Sequence, residues 1–96
     1  MEKIISSAIK FKLKNSEYFQ VMCGKRHCNI FEMMYNYNIE YDKDSSIQGF
    51  FTNKNRFVDR YEGMKIASSN GQLISETNYK ELYSEDIFPV EIDEDI

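Results

Sequence analysis

Between Ile9 and Lys14 the chain alternates without a break, with Ile9, Phe11 and Leu13 interleaved with Lys10, Lys12 and Lys14. Successive side chains on a strand point to opposite faces, so this is the pattern of a half-buried strand with its lysines in solvent. Ile4, Ile5 and Ala8 lead into it, Lys14-Asn15-Ser16-Glu17 has turn chemistry, and Tyr18 to Cys23 is again partly β-branched or aromatic. Residues 4–23 therefore read as a β-hairpin that Gly24 ends.

The period then changes. From His27 or Cys28 to Tyr37, the residues Ile30, Phe31, Met33, Met34 and Tyr37 recur at spacings of three and four, which predicts an amphipathic helix. Tyr41 to Ser46 is polar and serine-containing and reads as a mobile loop. Gln48 to Val58 reads as two short extended pieces around Thr52-Asn53-Lys54-Asn55, a turn that would bring Phe50 and Phe57 toward each other. Asp59 is placed to cap a second helix, with Glu62 completing an acidic capping box and Asn70-Gly71 supplying the stop. That helix buries Met64 and Ala67, with Tyr61 or Ile66. Gly63 inside it costs about 1 kcal/mol against alanine and points to close packing of another backbone. Leu82, Tyr83, Ile87 and Phe88 form a last apolar cluster before Pro89.

A chain of 96 residues supports one modest core. These elements predict an α+β fold: a single ligand-binding domain over residues 1–88, with an N-terminal antiparallel hairpin and short strands packed on two helices. Residues 89–96 then form an acidic tail. No apolar run approaches the ~20 residues of a membrane span, and no signal-peptide pattern is evident, so a cytoplasmic protein is expected. Two cysteines, Cys23 and Cys28, fit a reducing compartment. Residues 1–80 hold all twelve Lys and Arg against nine acids, +3, while 81–96 hold seven acids and no base, −7. That body is too weakly basic for a long nucleic-acid groove, yet it suffices for a ligand with two or three phosphates.

Most catalytic patterns are missing, so no enzyme is expected and no catalytic residue is assigned. The chain has one histidine, no Gly-rich phosphate loop and no carboxylate pair spaced for acid and base roles. Cys23, His27 and Cys28 fall short of the four ligands of a structural zinc site, so neither a metal nor a cofactor is expected, and the thiols read as a half-buried pair. Arg26 and His27 lie where a strand meets a helix N-terminus, a place that attracts anions. The run Gln48 to Arg60 sets Phe50, Phe51 and Phe57 among Arg56, Arg60 and Lys54. Rings stack on a base and guanidinium forks pair with phosphate oxygens, so a small nucleotide is the expected ligand. Phe51 should point away from Phe50, leaving Phe50, Arg56 and Phe57 to form a pocket wall opposite Lys25-Arg26-His27, either within one chain or across a subunit contact.

Gly24-Lys25-Arg26-His27, Gly49-Phe50-Phe51-Thr52, Arg56-Phe57-Val58-Asp59-Arg60, Ile66-Ala67, Asn70-Gly71-Gln72 and Leu82-Tyr83-Ser84-Glu85-Asp86 carry a resemblance over residues 8 to 88. In these the chain resembles the first-described type of Thoeris anti-defence proteins, phage sponges that sequester cyclic ADP-ribose isomers made by bacterial TIR-domain enzymes. Cys28 and Gly63 depart from that pattern. The resemblance implies capture without turnover in the infected bacterial cell, a homo-oligomer such as a dimer or hexamer, and, in some members, cyclic oligonucleotides at a separate site. It also implies that Phe50 or Phe57 stacks on adenine, that Arg26 and Arg56 hold the diphosphate, and that His27, Thr52, Asp59 and Arg60 complete the ligand set. Two other readings stand beside it: a small RNA- or ssDNA-binding module that uses the same aromatics and arginines, and a phage inhibitor of a host protein that works by protein contact through its acidic tail, with the aromatics only as core.

Overall fold

The computed structural model describes residues 1–89; the acidic stretch expected over 89–96 therefore lies, from residue 90 on, outside the described residues. It is an α+β domain in which one antiparallel sheet carries the helices on a single face. The strands are β1 (Ile4–Leu13), β2 (Phe19–Gly24), β3 (Tyr41–Thr52) and β4 (Phe57–Asp59), in the order β2-β1-β3-β4. The helices are α1 (His27–Asn36), α2 (Arg60–Asn70) and the single turn α3 (Ser84–Ile87).

The alternation in β1 decides which face is which. Ile9 and Phe11 pack with Ile30 and Met34 of α1, while Phe50 and Val58 pack with Met64, Ala67, Leu82 and Ile87. Ser7 stands opposite Phe50, and Phe50 opposite Val58, so these residues share the covered face. Lys10, Lys12, Phe19, Val21, Ile47, Phe51 and Phe57 fall on the other face, where the Lys10 ammonium lies 4.9 Å from the Phe19 ring centre and 5.9 Å from that of Phe57. The expected pairing of Phe50 with Phe57 is corrected by this register. Phe57 stands opposite Phe51, and antiparallel partners share a face.

The segment 41–46, expected as a loop, begins β3. Its serines build a bulge instead of ending the strand: the pairing jumps from Lys10–Ile47 to Lys12–Asp42. Ser45 Oγ accepts from the Lys12 amide at 2.9 Å and donates to the Asp42 carbonyl at 2.6 Å, replacing ladder bonds the extra residues interrupt. The hairpin turn holds Asn15 at φ 63, and β2, an edge strand, carries no charged residue.

Local chemistry fixes the ends of α2. Asp59 accepts from the Glu62 amide at 2.8 Å, and Gly71 closes the helix at φ 76. The Glu62 carboxylate does not return the cap; it pairs with Arg56 at 2.8 Å. Gly63 faces the Phe50 ring, where a β-carbon would stand 3.0 Å from Phe50 Cδ2, so the close neighbour is a side chain and not a backbone. Residues 72–83 run back irregularly until Leu82, whose amide donates to the Arg60 carbonyl at 2.9 Å, ties α3 to the start of α2. No helix among the described residues is long and apolar enough to cross a membrane.

Candidate anion pocket

A buried hydrogen-bond chain holds three segments together beneath a surface hollow. His27 begins α1 with its ring edge-on to Phe50, 5.1 Å between ring centres. Its Nε2 lies 2.7 Å from the Gly49 carbonyl and its Nδ1 2.6 Å from Ser84 Oγ. A carbonyl only accepts, so in the neutral ring Nε2 carries the hydrogen and Ser84 donates to Nδ1. Ser84 Oγ also accepts from the His27 amide at 3.1 Å, and the single Ser7 hydroxyl hydrogen is shared between Ser84 Oγ at 2.9 Å and the Lys25 carbonyl at 3.0 Å. Burial pushes the His27 pKa below its ordinary value, against the raising effect of the Gly49 carbonyl, and Arg60 pushes the same way as burial.

Above this chain lies a hollow of about 270 Å³ lined by Arg26, His27, Cys28, Gln48, Arg60, Tyr83, Ser84 and Glu85. Arg26 stands at the cap of α1 and Arg60 at the first position of α2, so two helix starts deliver two guanidiniums to one place. The Arg60 guanidinium rests 4.7 Å above the Tyr83 ring centre and donates to Gln48 Oε1 at 2.7 Å. Arg26 reaches exposed Glu85 at 3.3 Å. Both arginines hold a buried Nε with no acceptor among the described residues. Two cations against one carboxylate leave the hollow net positive, with guanidinium hydrogens spare for an anion.

Of the residues expected to bind ligand, Arg26, His27 and Arg60 converge here, within one chain. The others do not. Phe50 is 0% exposed in the core beneath His27, so its ring has no free face to stack on adenine. Phe57 lies on the opposite face of the sheet. Arg56 is held away from the hollow by a two-pronged pair with Glu2, at 2.7 Å for both contacts, and by Glu62; these carboxylates raise its pKa, and the pairing lowers that of Glu2 to about 2. Thr52 is buried and donates to Glu2 at 2.7 Å, and Asp59 is spent on the α2 cap. Cys23 and Cys28, expected half-buried, are both exposed; among the described residues no three His, Cys, Asp or Glu side chains gather as a metal site would need. Gln48, Tyr83 and Ser84 were not expected. Tyr83 belonged to the apolar cluster, and both it and Ser84 to the quoted motif Leu82-Tyr83-Ser84-Glu85-Asp86, but nothing local linked them to Arg60.

The fold defines a small α+β protein with its helices on one side of a four-stranded sheet and a basic hollow where two helices begin. The chain belongs to the phage T4 y16D protein family, matched over residues 3–88. No curated protein and no solved structure matches the chain.

Proposed function

We propose that the protein binds a small phosphate-bearing ligand of the nucleotide class in the Arg26–Arg60 hollow and acts by holding it unaltered. The observation that carries this reading is the convergence of two guanidiniums, Arg26 and Arg60, on one hollow whose lining holds a single carboxylate, Glu85. Capture is favoured over turnover because the one histidine has both ring nitrogens engaged and the one carboxylate of the hollow, Glu85, is held by Arg26. A hollow of about 270 Å³ suits one or two phosphates more than a whole nucleotide.

Membership of a phage family and the resemblance to Thoeris anti-defence proteins make a cyclic ADP-ribose isomer the first ligand to try, as a sequestered immune signal. Binding of that isomer and of inorganic pyrophosphate should be measured by calorimetry on the protein and on Arg60→Ala and Arg26→Ala. Losing a charge-assisted contact worth about 1.5–3 kcal/mol weakens affinity roughly 10- to 100-fold. Heat denaturation should return the ligand chemically unchanged. Absence of binding, or binding by both variants as tight as that of the parent, refutes the site, and recovery of a converted product refutes capture.

A further inference from the structure

We infer that the arginine hollow is one end of a longer groove along α2, and that the far end, walled by Tyr61 and Tyr79, is a nucleobase subsite. Three adjoining hollows share their walls. Tyr83 lines the arginine hollow and also a middle one of about 310 Å³. Tyr61, Tyr79 and Lys80 line that middle hollow and also a third, of about 680 Å³, which continues along α2 past Lys65 to Ser68. Arg60 to Ser68 spans eight helical steps, about 12 Å at 1.5 Å each, so the groove is long enough for a nucleoside with its phosphates extended.

The chemistry changes along that length. At the first end stand the guanidiniums of Arg26 and Arg60. In the middle stands Glu81, which accepts from the Tyr83 hydroxyl at 3.1 Å and keeps the phenols of Tyr83 and Tyr61 in their neutral form. A phosphate beside Glu81 is repelled, which reserves this stretch for the uncharged part of a ligand. Beyond it Tyr61 and Tyr79 expose their rings, 53% and 70%, outside both core clusters, with Lys65 and Lys80 on the same wall. Exposed rings bounding a hollow beside lysines fit a base, which is flat and rich in acceptors. The ligand class that matches the whole groove is therefore a nucleotide, with its phosphates on the arginines and its base on the tyrosines.

This subsite rests on the anion-pocket reading, and the test separates the two. Affinities for inorganic pyrophosphate and for ADP are measured on the protein, on Tyr61→Ala, on Tyr79→Ala and on Arg60→Ala. The tyrosines are exposed, so their removal leaves the fold intact, checked by circular dichroism. ADP should bind about 10-fold or more tightly than pyrophosphate, the increment that stacking one base supplies. Each tyrosine variant should erase most of that increment and leave pyrophosphate affinity unchanged, whereas Arg60→Ala weakens both probes. Pyrophosphate binding with no gain for ADP, or a gain untouched in the tyrosine variants, overturns the subsite and spares the anion pocket. Binding of neither probe overturns both. A single-stranded oligonucleotide that outcompetes ADP with steep salt dependence reassigns the groove to nucleic acid and overturns the nucleotide subsite.

Discussion

Ser84→Ala removes one oxygen and should cost far more than a methyl-sized change. That oxygen meets three partners: the His27 amide at 3.1 Å, His27 Nδ1 at 2.6 Å and Ser7 Oγ at 2.9 Å. Ser7 keeps the Lys25 carbonyl, so two buried groups, both on His27, are stranded. At about 1–3 kcal/mol for each stranded group the loss is about 2–6 kcal/mol. This is a large fraction of the 5–15 kcal/mol typical of a domain. Urea unfolding followed by far-ultraviolet circular dichroism gives the measurement. With a slope near 1 kcal/mol/M for a chain of this size, the midpoint should fall by about 2 M or more. Ser7→Ala leaves both His27 groups bonded to Ser84, so its midpoint should fall by half that or less. A Ser84→Ala midpoint within about 0.5 M of the parent would refute the claim that this chain of hydrogen bonds ties α3 to the sheet.

Two further outcomes follow from packing and titration. Gly49→Ala would set a β-carbon 2.2 Å from the Val58 carbonyl and 2.5 Å from Phe57 Cζ, so β4 must shift. A loss above about 3 kcal/mol in the same urea assay is expected, and an unchanged midpoint would contradict the register. His27 is less basic when folded than its ordinary 6.5, so below about pH 6.5 the unfolded chain takes up more protons. Stability should therefore be full above pH 6.5 and fall as the pH drops toward the lowered folded value. Glu2, lowered from 4.5 to about 2, extends the fall across that lower range. His27→Gln should flatten the first limb and leave the second, and a first limb of unchanged depth in that variant would exclude His27 as its source.

What could be read from the chain was what the chain settles locally. The period of Ile9, Phe11 and Leu13 gave a strand, Asp59 gave a cap and Asn70-Gly71 a stop, because each depends on neighbours within a few residues. The serines of 41–46 misled because the same hydroxyls that favour loops can also stitch a bulge, and only β1 offers the amide that Ser45 needs. Arg56 looked like a phosphate ligand until Glu2, far away in sequence, proved to hold it. Phe50 and Phe57 differ by seven positions, and their opposite fates follow from a turn register that residue types alone do not fix. Arg26 and Arg60 were visible separately; the Tyr83 ring that seats Arg60 comes from a return segment with no regular structure to announce it.

β2 bears on how the molecule behaves in bulk. Its residues, Phe19-Gln20-Val21-Met22-Cys23-Gly24, present an outer row of backbone groups with none of the lysines, prolines or bulges that usually blunt such a border. Copies of the chain are then kept apart mainly by their shared charge of −4, which vanishes near pH 5.0. Colloidal stability and acidity are thereby linked: mild acid removes the repulsion while leaving the adhesive border intact, so solubility should be lost near that pH well before the fold itself gives way.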